Sequence, residues 1–506
     1  MTTLWNLLVE RVELTPDLPM LSDEYDRTLT FAEFRAWAER VAAGLHGLGI
    51  TEGTVVSWQL PTRMETVVLS MALSRLDAVQ NPIIHLYRER EVASLLRTTD
   101  ASWYVGPGTW RQFDYTAMAE TIRDRSTATE PFTILEAYRD LPEGDPAALP
   151  PAPTDGDAVR WLYATSGTTS EPKAVCHSDA SLIAGGTGIA EALRPAPGSA
   201  NAVPFPYAHI GGPDNLVMSL LTGMATILVE AFSPPESFAL FDRLGATHLG
   251  GSTAHYQALL AEQERLGRNP VPGLHTMCGG GAPKPPELYW RVKELTGVTV
   301  RHGYGMTECP MIACGSVDDT DEQLANTDGA PVLGCEILVV DDEDRPTPAG
   351  TDGEILVRGP MLAKGYLDPA QTAESFHADG WFRTGDRGHL RTDGHIVLTG
   401  RSKELIIRKG ENISPREIED VLAAHPSVGA VAVVGLPDSE RGERACAVVE
   451  TRSGAEPLTF AAMVEHCRAA GLMAQKVPEQ LEIVAELPRN PTMKILKRVL
   501  VERLSD

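Results

Sequence analysis

Residues 161–175 read WLYATSGTTSEPKAV. An apolar run with the look of a strand, Trp161–Ala164, leads into hydroxyls at Thr165, Ser166, Thr168, Thr169 and Ser170 around one glycine, Gly167, with Lys173 close behind. Each hydroxyl can donate to a phosphate oxygen and the lysine adds a cation, so the stretch suits a phosphate cradle. On these residues alone a polar surface loop accounts for it equally well. It is not a Walker A loop, because GxxxxGK[ST] is absent.

Upstream, the chain alternates helical and strand patterns. Residues 30–50, TFAEFRAWAERVAAGLHGLGI, have the helical period, with Thr30 as N-cap and Glu33 completing a capping box. Residues 55–60 and 80–84 read as short strands around a further helix. That is βαβ logic, and it predicts an α/β fold with doubly wound, mostly parallel sheets. Residues 225–232, 247–252 and 275–281 read as further buried strands, the last two ending in glycine, where α/β proteins often place ligands. From about residue 330 to 400, short β segments separated by Asp- and Gly-rich turns predict a small β subdomain. After Arg401 a helix from Pro415 and strands at 431–436 and 445–450 predict a compact α+β domain.

The chain's 506 residues exceed what one hydrophobic core usually serves. Its 44 basic and 69 acidic side chains leave a net charge of −25, which argues against a nucleic-acid partner. Residues 401–506 hold 15 basic and 16 acidic residues, net −1, and residues 1–400 carry the remaining −24. So abrupt a change predicts a domain boundary near residue 400, with the tail better suited to an anionic ligand. The seven cysteines show no CxxC or metal-ligand spacing, which points to buried, reduced thiols in a cytoplasmic protein. The first residues, MTTLWNLLVERVEL, read as an amphipathic helix and not a signal peptide, and no apolar run approaches the ~18 residues of a membrane span.

Four further stretches carry chemistry. HGYGMTE (302–308) follows a strand and offers the flat face of Tyr304, the hydroxyl of Thr307 and, in Glu308, a carboxylate able to hold Mg²⁺ beside phosphates; Thr307 as a helix cap is the alternative. GWFRTGD (380–386) puts Asp386 after a glycine turn, where it can accept from two ribose hydroxyls or form an Asx turn. GRSKELIIRKGENISPREIE (400–419) holds Arg401, Lys403 and a basic turn at Arg408, Lys409 and Gly410, followed by Ser414 as N-cap, Pro415 at the first helical position and Glu417 closing a capping box. LPRNPTMKILKR (487–498) presents Lys494 in a loop before a last helix.

In this order and spacing the five stretches resemble the adenylate-forming superfamily of acyl-CoA synthetases, luciferases and peptide-synthetase adenylation domains, over essentially the whole chain. Residues 400–419 with VVGLPD (433–438) are most similar to acyl- and aryl-CoA ligases, and QNPIIHLYREREV (80–92) resembles ligases of cyclohexanecarboxylate type. The resemblance implies that a carboxylate attacks the α-phosphate of Mg·ATP to give acyl-AMP, after which a mobile C-terminal domain (401–506, hinge at Lys403) swings on the 1–400 body and the thiol of coenzyme A takes the acyl group. It implies that Thr165–Lys173 surrounds the β- and γ-phosphates, that Tyr304 lies against adenine, that Thr307 touches the α-phosphate, that Glu308 holds Mg²⁺ and that Asp386, with Arg401 nearby, binds the ribose. Lys494 would bridge carboxylate and α-phosphate, Lys409 and Gly410 would shape the pantetheine tunnel, and His209 would gate the acyl pocket. Gly279, Gly280, Gly281 and Gly303 suggest pocket walls of little bulk, suited to a bulky alicyclic or polycyclic acid. A homodimer is compatible with this reading.

Three positions depart from the family's pattern. Ser170 and Ala174 stand where the phosphate loop has glycine, and Met493 stands where the lysine loop has glycine. All three bear on adenylation, so an enzyme that only converts ready-made acyl-AMP to the thioester is carried as an alternative. A catalytically silent relative that only binds acyl-AMP or coenzyme A is the alternative from another class.

Overall fold

The computed structural model describes all residues except 1, 127–130, 166–172, 378, 402–403, 409–410, 439–441, 474–475, 491–492 and 506; at 164–165, 407–408, 411–412 and 442 it describes the backbone alone. The fold is mixed α/β, with parallel sheets in a large N-terminal part and a smaller C-terminal sheet.

Two large sheets form the body. The first runs, strand by strand, Ala330–Pro331, Cys309–Cys314, Thr299–Met306, Thr276–Gly279, His248–Gly251, Ala200–Val203, Ala225–Leu228, Pro19–Asp23 and Thr28–Thr30. Its interior pairs are parallel and its two margins antiparallel. The second has the order Lys173–Ser178, Val159–Thr165, Val79–Pro82, Val55–Trp58, Trp103–Gly106 and Thr133–Glu136. Helices cover these sheets, as parallel strands with helical crossovers require. The helix Phe31–Gly47 begins as its sequence predicts: the Thr30 hydroxyl accepts from the Glu33 N–H, and the Glu33 carboxylate accepts from the Thr30 N–H.

A four-stranded antiparallel sheet follows, in the order Glu336–Val340, Gly353–Arg358, Phe382–Leu390, Ile396–Arg401. The last sheet draws all its strands from beyond Arg401: Glu411–Ile413, Ile406–Arg408, Gly442–Thr451 and Val428–Asp438, with Gln480–Val484 parallel to Gly442–Thr451. The helix Pro415–Ala423 starts at the expected residue but lacks the expected capping box. The Ser414 hydroxyl instead donates to the Thr399 carbonyl, and Glu417 pairs with Lys476 at 2.5 Å. A tertiary acceptor for the serine and a cation for the glutamate have displaced the local pattern.

HGYGMTE does not follow its strand, as expected, but lies on it: the strand runs Thr299–Met306, Thr307 and Glu308 make the turn, and Cys309–Cys314 returns antiparallel. No helix starts at Thr307, so capping is not its role. Among the described residues no helix is long and apolar enough to cross a membrane.

Burial keeps several histidines neutral. His177 is fully buried at the end of Lys173–Ser178, and desolvation, opposed by the bond to Thr307, lowers its pKa to about 4. A neutral ring needs one donor and one acceptor. Its Nε2–H therefore donates to the Thr307 carbonyl at 2.7 Å, and Nδ1 accepts from the Ser181 hydroxyl at 2.9 Å. His85, His209, His248 and His255 are likewise held at about 4. The unfolded chain therefore binds more protons below about pH 6.5, and stability is lost as pH falls from there toward 4. Urea midpoints should drop through that window. Replacing His177 with Gln should flatten the slope, reducing the total loss across that window by at most about 3 kcal/mol for a shift of this size; an unchanged slope would contradict the assignment.

Candidate active site

The site forms where the four-stranded sheet meets the margin of the nine-stranded one. Asp386 and Arg401 are direct cross-strand partners, which places their side chains on one face. Arg401 Nε donates to Asp386 Oδ1 at 2.6 Å, and the Tyr304 hydroxyl donates to Asp386 Oδ2 at 2.7 Å. The Asp386 N–H is bonded to the Thr384 hydroxyl (3.0 Å), which donates to the Ile355 carbonyl (2.8 Å). Gly385 has φ +71°, a conformation glycine adopts without cost, and it turns Asp386 within a continuing strand. The expectation of a turn at a strand edge is corrected to a kink inside Phe382–Leu390. Burial would lower the pKa of Arg401, but Asp386 outweighs it and the guanidinium is held above its ordinary value.

The phosphate-loop candidates Ser166, Gly167, Thr168 and Thr169, together with Ser170, lie outside the described residues, as does the side chain of Thr165. The strands on either side are described: Thr165 pairs with Lys173 in an antiparallel ladder. Ala174 pairs with Ala164 in that ladder, is 2% exposed and accepts from the Leu367 N–H at 2.8 Å. Ala174 is thus a buried residue of a regular ladder.

Lys173 Nζ sits 4.8 Å from the centre of the Tyr366 ring, a cation–π contact. The Tyr366 hydroxyl donates to Glu308 Oε1 at 2.7 Å. Sequence reasoning missed Tyr366, and also His177, which holds the Thr307 carbonyl. The signal for the first lay in AKGYLD (363–368), a lysine–glycine–aromatic run just after a strand. The second lay eleven residues beyond Ser166, with only its burial to mark it. The other Glu308 oxygen has no hydrogen-bond partner among the described residues, and no group of three or more His, Cys, Asp or Glu side chains there forms a metal cage. A single open carboxylate fits Mg²⁺, which keeps several waters and shares its ligation with substrate phosphates.

Lys494 stands in the field of Arg401, Glu404 and Asp386 and its side chain is exposed. Desolvation, then Arg401, lower its pKa against the pull of the two carboxylates. Its loop is closed by Asn490, which donates its N–H to the Lys494 carbonyl and accepts the Lys494 N–H on its side chain, both at 2.8 Å. Met493 in this turn has φ +67°. A side chain in the left-handed region costs about 1–2 kcal/mol, so the glycine expected here answers a real backbone demand.

His209 is half-buried, packs edge-on against Phe205 and accepts the Gly211 N–H on Nδ1 (3.2 Å), leaving Nε2 as its donor. The reading of the glycines is corrected. A Cβ on Gly279 would lie 1.6 Å from the Gly251 carbonyl oxygen, and one on Gly280 would lie 2.1 Å from that of Gly303. Both admit neighbouring backbone and do not open a pocket wall. A Cβ on Gly303 would meet Met311 Sδ at 3.2 Å, whereas Gly281, at φ +81°, has open space beside it. Lys403, Lys409 and Gly410 lie outside the described residues.

Two family models match the chain. Residues 8–367 match the AMP-binding enzyme family, and residues 417–494 match the AMP-binding enzyme C-terminal domain. Among curated relatives, a 2-hydroxy-7-methoxy-5-methyl-1-naphthoate–CoA ligase of Streptomyces carzinostaticus is 30% identical over 97% of this chain and 91% of its own. A medium-chain fatty-acid–CoA ligase of Escherichia coli is 28% identical over 96% and 87%. The crystal structure of ATP-bound MatB from Rhodopseudomonas palustris superposes with a TM-score of 0.89 at 27% identity, covering 100% of this chain and 99% of that one. The chain belongs to the AMP-binding enzyme family, the adenylate-forming superfamily that includes acyl-CoA ligases.

If Tyr366 orients Glu308, Tyr366→Phe keeps the ring beneath Lys173 and removes one bond to a carboxylate. The Mg²⁺ concentration for half-maximal pyrophosphate release should then rise about tenfold, as loss of a charged hydrogen bond implies. An unchanged Mg²⁺ requirement would show that Glu308 needs no such support.

Proposed function

We propose that the protein is an ATP-dependent, AMP-forming acid–CoA ligase whose adenylate site is centred on Asp386. The observation that carries this reading is the meeting of Tyr304, Asp386 and Arg401, drawn from three separate stretches, at one place, with Lys494 of a fourth stretch in their field. Asp386 presents its carboxylate to the ribose hydroxyls, and Tyr304, tied to it, sets the wall beside the base. Lys494 holds the substrate carboxylate against the α-phosphate and offsets charge as it builds at phosphorus; removing a positioned donor of this kind typically costs about 10²–10³ in rate. Mg²⁺ on Glu308 would neutralise phosphate charge. The Thr165–Lys173 segment receives the β- and γ-phosphates. After pyrophosphate leaves, the sulfur of coenzyme A attacks the acyl carbonyl, AMP departs with the bonding electrons, and Lys409 and Gly410 line the path of the thiol.

For the acid we propose an apolar monocarboxylate, of which alicyclic and polycyclic acids are the bulkier examples. Support comes from His209, neutral at physiological pH and packed on Phe205, which gives that side of the site no cation for a second carboxylate. The glycines no longer favour bulk. A panel of apolar acids and dicarboxylates assayed with ATP and coenzyme A tests this: dicarboxylates as the better substrates would refute it.

The φ of Met493 favours a second reading, in which adenylation is slow and acyl-AMP conversion is intact. Pyrophosphate release from acid and ATP, set beside thioester formation from synthetic acyl-AMP, separates the two. On the full-ligase reading both half-reactions proceed at comparable rates in the native protein. On the second, Met493→Gly raises pyrophosphate release several-fold and leaves the thioester step unchanged. Binding of acyl-AMP without thioester from either route would instead show a silent relative.

A further inference from the structure

The first turn of the Pro415–Ala423 helix makes an ion pair with the body. Arg416 Nη2 lies 3.1 and 3.3 Å from the two carboxylate oxygens of Asp328, which is 2% exposed. Asp328 is fixed to the strand that carries Arg401: its N–H donates to the Ile396 carbonyl and its Oδ2 accepts from the Leu398 N–H, both at 2.9 Å. Two residues before Arg416, Ser414 bonds the Thr399 carbonyl, and a Cβ on Gly400 would come within 3.3 Å of the Ser414 hydroxyl. The segment 414–416 therefore lies along residues 398–400.

Inside the C-terminal domain a polar chain leads from this helix to the lysine loop. Glu419, one turn beyond Arg416, accepts the Val433 N–H at 2.7 Å and pairs with Lys497 Nζ at 2.8 Å. Lys497 also faces Glu404 at 3.4 Å. It stands three residues after Lys494, in the helix Lys497–Leu504, which packs on the same Val428–Asp438 strand as the Pro415–Ala423 helix. Wherever Arg416 is seated, Lys494 is carried with it.

We infer that Arg416 and Asp328 are positioning residues for adenylation: their ion pair seats the C-terminal domain on the body so that Lys494 stands beside Asp386 and Arg401. The inference rests on the ligase reading above. Neither residue touches the reacting atoms. Displacing a catalytic group by as little as ~1 Å can cost about a hundredfold in rate, so loosening this seat falls on the step that uses Lys494.

The test uses the full chain with Arg416→Gln, Asp328→Asn, their combination and Arg416→Lys. Asn at 328 keeps an acceptor for Leu398. Pyrophosphate release should fall about tenfold or more in each single variant. Thioester formation from synthetic acyl-AMP should stay within twofold, the double variant should be no worse than either single one, and Arg416→Lys should restore most of the loss. Equal falls in both half-reactions, or no fall in pyrophosphate release, would overturn the proposal. Should the native protein release no pyrophosphate with any acid, the ligase reading fails on its own, and amide exchange in residues 324–330 and 396–401 decides the seat. Faster exchange in Arg416→Gln than in Arg416→Lys supports it, and equal exchange refutes it.

Discussion

The carboxylate of Asp386 is the constraint around which the site is organised. It takes a guanidinium on one oxygen and a phenol on the other, and each partner belongs to a different piece of chain: Arg401 to the last strand of the small sheet, Tyr304 to the margin of the large one. At 7% exposure such a carboxylate is costly to leave unpaired, so the two sheets are held together by the same bonds that aim the group. Lys494 then adds a cation from the C-terminal domain to a place already fixed. The site is thus a junction of three units, which explains why none of the motifs had force alone.

The candidate site residues Thr307, Glu308 and Lys173 are backed mostly by neutral side chains. His177 stays uncharged because it is buried, and only a neutral ring gives it one donor for Thr307 and one acceptor for Ser181. Tyr366 sits between a cation on its face and a carboxylate on its hydroxyl, linking Lys173 to Glu308. The side chains that make these contacts, His177 and Tyr366, carry no charge of their own.

Much of this was legible in the sequence where the signal was local. The Thr30–Glu33 capping box, the strand leading to Thr165 and the start of the helix at Pro415 depend on neighbours in the chain, and they form as read. What failed depended on distant partners. Ser414 gave up its cap for the Thr399 carbonyl, and Gly279 and Gly280 proved to be places where adjacent strands press close. Tyr366 and His177 escaped notice because their roles arise only from what they touch. Met493 shows the opposite case: a missing glycine visible in sequence corresponds to a backbone angle of +67° in the fold.

The central claim, that Asp386 reads the ribose of the nucleotide, is tested most directly by comparing ATP with 2′,3′-dideoxy-ATP in pyrophosphate release. The native protein should discriminate strongly against the dideoxy nucleotide, by tenfold or more for a lost bond to a charged acceptor. Asp386→Asn should lose most of that discrimination by failing with ATP rather than by gaining with its analogue. Equal use of both nucleotides by the native protein, or discrimination undiminished in Asp386→Asn, would contradict the account.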